Sequence, residues 1–331
     1  MRKMANVRKI DAIGPIEGAD AIEVATVGGW KVVIKKGEFQ AGDLAVYCEI
    51  DSWIPFELAP FLSKGKEPRE FEGVKGERLR TVKLRGQISQ GLLLNLDNVI
   101  PETHSFGEDS DVSEYLNIKK WEKAIPAQLA GQVKGNFPTQ IPKTDQERVQ
   151  NLKKEIASAQ GAVFEVTEKL EGSSMTVYKI DGVFGVCSRN LDLKRDENNS
   201  FWATAIKLDI ENKMAFSDNF AIQGELIGPG VQGNIYNLSK LEFRVFDIYD
   251  IKDGCYLNPA DRENIIGRMG LDHVPVLDDA FVLDDNIEEL LKLAEGTSRL
   301  GDTEREGIVF KEVNGGITFK AISNKYLLGE K

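Results

Sequence analysis

Between residues 162 and 322 the chain carries a series of short apolar runs, most of them interrupted or flanked by one charged residue. These runs are 162–168, 174–180, 183–188, 220–227, 241–249, 307–312 and 317–322. Segments this short, bounded by glycine and polar turn residues, read as strands. Val313-Asn314-Gly315-Gly316 is a hairpin signal that places the last two strands side by side. Helical patterns interrupt the series only near 260–269 and 286–295. The result is a mixed α+β domain built on antiparallel sheet.

The first 100 residues read as a separate set of short strands, at 21–27, 30–34, 43–50, 79–84 and 91–96. Five short strands in this length suit a small closed barrel of the OB type, a fold that binds single strands and oligonucleotides. Ile16-Glu17-Gly18-Ala19-Asp20 and Leu84-Arg85-Gly86-Gln87-Ile88-Ser89-Gln90-Gly91-Leu92 resemble the tRNA-binding type of OB module. Residues 101–143 hold Pro101, Pro126, Pro138 and Pro142 and little periodicity, so they are expected to form a connector, with a short helix at 112–123. Thr144-Asp145-Gln146-Glu147 then has the form of a capping box. It predicts a helix with Val149, Leu152 and Ile156 on one stripe, stopped at Gly161. Arg148 would lie in its first turns, either as a surface arginine or as a phosphate ligand reaching the next segment.

Bulk properties narrow the function. A length of 331 residues allows two domains, and 41% hydrophobic with 29% charged residues is ordinary for a globular chain. No apolar run is long enough for a membrane span, and the N-terminus does not read as a signal peptide. Cys48, Cys187 and Cys255 have no metal-type spacing, and Cys48 and Cys187 sit in apolar runs, which suggests buried thiols in a reducing, cytoplasmic or similar compartment. His104 and His273 are too few for an obvious zinc site or Ser-His-Asp triad. A net charge of −11 argues against a protein that coats nucleic acid, yet Lys64 to Arg85 holds eight basic residues against four acidic ones. That stretch is either a solvated face or a stripe that contacts phosphates.

One motif is rejected. Gly228-Pro229-Gly230-Val231-Gln232-Gly233 matches a dinucleotide fingerprint, but no helical apolar period and no second βαβ unit follow it.

The chemistry centres on Thr167-Glu168-Lys169-Leu170-Glu171-Gly172-Ser173. Strand alternation puts Lys169 and Glu171 on one face, and Gly172 begins a bend. A lysine there is a usable nucleophile if it loses its proton; a surface lysine paired with Glu171 is the plainer reading. Ser188-Arg189-Asn190 follows, then Gly224-Glu225-Leu226, then Phe246-Asp247-Ile248-Tyr249-Asp250. Glu306-Gly307-Ile308-Val309-Phe310-Lys311 and Thr318-Phe319-Lys320-Ala321-Ile322 close the set.

In that order these motifs resemble the series shared by covalent nucleotidyltransferases: DNA ligases, RNA ligases and mRNA capping enzymes. The resemblance covers about residues 144–325. With an OB-like segment in front and Lys-Thr-Asp-Gln-Glu-Arg-Val-Gln-Asn at 143–151, the chain looks most similar to RNA ligases of the Deinococcus and Naegleria type. Only eleven residues follow Lys320, too few for an OB domain after the transferase. The resemblance implies an OB-like domain (1–100), a connector (101–143) and an antiparallel-sheet nucleotidyltransferase (ATP-grasp-like ligase) domain (144–331).

It also implies roles. Lys169 would carry AMP, and Glu168 and Leu170 would line the adenine pocket, chiefly through their backbone groups. Arg189 would contact ribose and phosphate, and Phe246 would stack on adenine. Lys320 would meet the α-phosphate, and Arg148 would hold the triphosphate. Glu171, standing where the family has aspartate, would join Glu225 and Glu306 around Mg²⁺ or Mn²⁺. Ile322 stands where the family often has a second lysine, and Lys325 is the candidate replacement. ATP would be the nucleotide. RNA with 5′-phosphate and 3′-hydroxyl ends, including a nicked duplex, would be the substrate of a monomeric enzyme. DNA ligase, GTP-using capping enzyme and inactive nucleic-acid-binding protein stand as alternatives.

Overall fold

The computed structural model describes residues 3–101, 104, 106–122, 131–215 and 218–329. They form two compact units, Met1–Ala124 and Ile125–Lys331. Among the described residues no helix is long and apolar enough to cross a membrane.

The first unit is built from short antiparallel sheets. Ala5–Lys9 and Leu92–Asn95 flank Leu44–Cys48, and Ile22–Val27 lies between Ala12–Pro15 and Trp30–Lys35. Alternation along these strands sends Val7, Val46, Cys48 and Leu94 into one core with Met4, Ile54 and Leu79. The strand expected at 79–84 forms only over its last three residues. Val74–Arg78 ends before Leu79, and Val82–Leu84 begins a hairpin with Gln87–Ser89. Arg85 and Gly86, both at positive φ (50° and 82°), make the two-residue turn that such a hairpin requires. Three residues of the basic stretch have partners within the unit. Arg78 is held 2.6 Å from Asp51 and lies 3.9 Å over the Trp121 ring. Lys75 and Arg69 pair with Glu67 and Glu77.

The stretch 101–143 does not run as a single connector. Val112, Leu116 and Ile118 fill the core of the first unit. The helix expected at 112–123 is reduced to one turn closed by Leu116 N–H on the Val112 carbonyl, because Asn117 takes a positive φ of 51°. Lys123 lies outside the described residues. Val133–Asn136 instead joins the second unit by pairing with Leu191–Leu193, and Phe137 and Ile141 pack with Tyr178, Cys187 and Ala221.

Among the described residues, two sheets make up the second unit. The larger, eight-stranded sheet centres on Ser173–Ile180, Phe220–Ile227 and Glu242–Asp250, each antiparallel to its neighbour. One face packs against the helices Ser200–Lys207 and Pro259–Met269 through Phe201, Trp202, Ile266 and Met269. The first of these helices, absent from the sequence reading, is capped by the Asn199 side chain, which accepts from the Phe201 N–H. The smaller sheet runs Glu147–Arg148, Thr318–Ile322, Gly307–Glu312, Val163–Lys169, Val276–Val282. Its core is a packed set of rings, Phe310 and Phe319 at 4.7 Å and Phe164 at 5.7 Å from Phe319, covered by Ile156, Leu290 and Ala294. The helix Ile287–Ala294 stands where its apolar period put it.

The helix predicted from Thr144 does not form there. Thr144 Oγ1 instead bonds Ser174 Oγ, and the Glu147 carboxylate accepts from Arg148 N–H and the Asn151 amide. Glu147–Arg148 pairs in parallel with Phe319–Lys320, and the α-helix begins only at Lys153. The capping residues are used by strand pairing because the smaller sheet has an open edge at that point.

Gly307 sits where the Glu306 and Ile322 strands touch. A Cβ there would run into the Ala321 carbonyl and approach Ile322 Cα to 2.9 Å. Gly307→Ala is expected to destabilise the protein by about 1–3 kcal/mol through forced overpacking, measured by denaturant unfolding. An unchanged unfolding midpoint would show that the hairpin yields at no cost.

Candidate active site

Lys169 ends the strand Val163–Lys169 opposite Gly307, and that register brings it beside Glu306. Its Nζ donates to Glu306 Oε1 at 2.6 Å, so the plainer pairing with Glu171 is not the one formed. Leu170 is buried, and the Glu171 N–H donates to the Tyr236 hydroxyl at 2.7 Å. At Gly172 a Cβ would strike the Leu226 carbonyl and come within 2.8 Å of Glu225 Cγ. Glycine therefore lets the chain after Lys169 press against the Glu225 strand, where Ser174 is opposite Glu225.

Glu225 is the most perturbed carboxyl of the group. Burial pushes its pKa from the ordinary 4.5 to about 8; Lys169 and Arg189 pull it down, and Glu306 adds to the rise. These influences put Lys169, Glu225, Glu306 and Arg189 within one electrostatic neighbourhood, drawn from both sheets.

The cations gather around an aspartate. Lys320 is buried on the strand Thr318–Ile322, and its Nζ donates to Asp145 Oδ1 at 3.1 Å. Arg189, at the end of the hairpin formed by Val183–Cys187 and Leu191–Leu193, donates to Asp145 Oδ2 at 2.9 Å. Arg148 pairs in register with Lys320 and is buried, 6% exposed. It is thus neither a helical residue nor a surface arginine.

Beside this polar group lies an apolar patch of Leu170, Ile227, Tyr236 and Val274, with Phe246 packed against it. The Phe246 carbonyl accepts from Lys311 Nζ at 2.5 Å, and Lys311 also pairs with Asp247 at 2.8 Å. Glu168 is turned away from a solvent role. Its carboxylate accepts from Ser298 Oγ at 2.5 Å and Arg299 N–H at 2.8 Å, and its own N–H binds the Pro275 carbonyl. It ties down the loop that leads to Glu306.

One expected member stands apart by its contacts. Lys325, on the helix Asn324–Leu328, pairs with Glu295 at 3.4 Å rather than with the Lys320 group. The helix turns it to that side, so its position in sequence does not replace the missing lysine. Glu171 Oε1 lies 3.6 Å from the place a Cβ on Gly233 would take, on the loop wrongly resembling a dinucleotide motif. Among the described residues no three His, Cys, Asp or Glu side chains gather as a metal cage. Glu306 adds to the rise in the Glu225 pKa, and a cation beside the two carboxylates would oppose that rise. This fits an ion held by one or two carboxylates and completed by substrate phosphates.

Sequence reading missed Asp145, Tyr236 and Ser298, and assigned no role to Asp247 or Lys311. Asp145 was visible only as part of a capping box. Nothing local marks the other contacts, because each reaches more than 60 residues along the chain.

Comparison with known proteins follows the same lines. A family model described as RNA ligase matches residues 162–326, and an OB-fold domain model matches residues 4–96. The structure of Naegleria gruberi RNA ligase with PPi is similar at 46% identity, covering 99% of this chain and 98% of that one, with a TM-score of 0.93. Mutants of the same enzyme with AMP and Mn and with ATP and Mn are similar at the same identity and TM-score, covering 98% of this chain and 98% of each of those chains. The curated proteins include no match.

The protonated state of Glu225 gives a pH signature. Its folded pKa, about 8, is raised above the ordinary 4.5, so its contribution to stability is present below about pH 4.5 and is lost as pH climbs towards about 8. In nucleotide- and metal-free protein, wild type is expected to lose melting temperature relative to Glu225→Gln across that window. A difference that stays constant with pH would contradict the assignment.

Proposed function

The chain belongs to the RNA ligase family, and from that premise we propose that Lys169 is the residue that takes up AMP, with ATP as donor. The protein is an ATP-dependent RNA ligase. The observation that carries the residue assignment is the Lys169 amine, bonded to Glu306 and lying within the electrostatic reach of Glu225, in a neighbourhood that also contains Arg189.

The residues divide the work by chemistry. Leu170, Phe246 and their apolar neighbours receive the adenine, where a ring face and aliphatic surface bind without needing hydrogen bonds. Lys320, Arg189 and Arg148 neutralise the phosphates. Glu306 holds the Lys169 amine by its Nζ until the nucleotide enters. Glu225 and Glu306 would hold the divalent ion, Mg²⁺ or Mn²⁺, which supplies positive charge against the phosphates and disfavours an ammonium beside it. Lys169 Nζ then attacks the α-phosphorus in line; the N–P bond forms as the bond to the pyrophosphate oxygen breaks. Pyrophosphate departs with its charge, and the lysine proton passes to Glu306, which accepts from the Lys169 Nζ, or to solvent.

The two later steps reuse the same cations. A 5′-phosphate oxygen of RNA attacks the lysyl-AMP phosphorus and frees Lys169. A neighbouring 3′-hydroxyl then attacks the activated 5′-phosphorus, joining the strand and releasing AMP. Such transfers depend on positioning and charge neutralisation more than on covalent help from the protein. The first unit is the partner surface for the RNA, including a nicked duplex. We propose a monomer in a reducing compartment, in keeping with thiols at Cys48, Cys187 and Cys255.

Incubation with radiolabelled ATP and either metal is expected to leave covalent AMP on the peptide containing Lys169, with no label from GTP. Lys169→Ala should reduce labelling to background while retaining the wild-type melting temperature. Full labelling of that variant would overturn the assignment. Sealing of nicks with ribose but not deoxyribose 3′ ends would set RNA as the strand that supplies the hydroxyl.

A further inference from the structure

The segment 142–148 crosses from the larger sheet of the second unit to the smaller one. Gln223, on the strand Phe220–Ile227, donates to the Pro142 carbonyl at 2.8 Å. Lys143 Nζ donates to Asn190 Oδ1 at 3.0 Å, and Thr144 Oγ1 bonds Ser174 Oγ at 2.9 Å. All three contacts are to the larger sheet or its hairpin end. Glu147 and Arg148 then pair with Phe319 and Lys320 of the smaller sheet. Asp145 lies between the two sets of contacts. One carboxylate oxygen takes Lys320 from the smaller sheet, and the other takes Arg189 from the larger.

We propose that Asp145 is a positioning residue for the adenylylation step, holding Lys320 and Arg189 at one point before the nucleotide arrives. The proposal rests on the reading of those two cations as phosphate ligands. Three physical points support it. Lys320 and Arg189 are like charges from separate sheets, and a shared anion offsets the repulsion of bringing them together. Arg189 is half exposed, its side chain 45% accessible, so it has conformational freedom to lose; the buried Lys320 has little. A lysine head has three donors and a guanidinium five, so the same cations can bind a carboxylate and a phosphate at once. The bridge therefore pre-arranges the pair without having to leave when ATP binds.

The test is single-turnover adenylylation over a range of ATP concentrations. Asp145→Ala is expected to lower the rate at saturating ATP by about 10-fold or more, since small misplacements of phosphate ligands are costly, with a smaller change in apparent ATP affinity. Asp145→Asn keeps an oxygen acceptor and should fall between wild type and Asp145→Ala; it carries the test if the alanine variant does not fold. In an Arg189→Lys background Asp145→Ala should add little, because the bridged partner has already been altered. Wild-type rates for Asp145→Ala, or effects of the two substitutions that multiply in full, would overturn the proposal. A wild-type rate for Lys320→Ala would overturn the phosphate-ligand reading itself, and the proposal with it. A purely structural role would lower melting temperature without this split between rate and affinity.

Discussion

The groups of the active site come from two different sheets, so everything depends on how firmly those sheets are locked together. Buried ion pairs do this. Arg262, on the helix that covers the larger sheet, reaches Glu165 on the smaller sheet at 2.5 and 2.6 Å, with both side chains 2% exposed. Asp247 of the larger sheet receives Lys311 of the smaller at 2.8 Å and lies 3.8 Å from Arg262. Burial lowers the Lys311 pKa, and Asp247 opposes that fall. Such a lattice is a poor source of net stability, but removing one member would leave a buried charge unmatched, at a cost of about 3–5 kcal/mol. Its value is geometric: it ties the larger sheet and its covering helix to the smaller sheet.

His273 completes that lattice. Burial and the neighbouring Arg262 hold its pKa down at about 4, so the ring is neutral near pH 7. Its Nε2 accepts from Arg262 Nε at 3.0 Å, which leaves Nδ1 to donate to the Val274 carbonyl at 2.6 Å. Val274 belongs to the apolar patch proposed for adenine, and Lys311 holds the Phe246 carbonyl on its other side. The buried charges thus also shape the base pocket.

At the candidate site, Lys169, Lys320 and Arg189 each have a carboxylate partner before any nucleotide enters. Lys169 is held by Glu306, while Asp145 holds both Lys320 and Arg189. Glu225, crowded by protein and by Glu306, keeps its proton to higher pH. An incoming triphosphate would exchange the Lys169–Glu306 contact for one to phosphate and add phosphate contacts to Lys320 and Arg189 while the Asp145 bridge stays. That exchange limits the cost of removing water from so many charged groups.

The strand segments of the second unit, the helices over 260–269 and 286–295 and the motif residues were legible in sequence, because alternation, helical period and charged residues interrupting apolar strands are local signals. The strands 220–227 and 307–312 have those bounds in the structure. Local signals misled at Thr144–Glu147, where capping chemistry was taken up by strand pairing, and at 101–143, where two units share what looked like one connector. Lys325 shows the same limit, since nearness in sequence to Lys320 says nothing about which way a helix turns it. By itself the sequence determined the types of groups available and the order in which they are strung. Only the tertiary structure decided that Asp145 bridges two cations and that Glu306 holds Lys169, because hydrogen bonds and charge pairing act through space, with no record in the spacing of residues 137 and 175 positions apart.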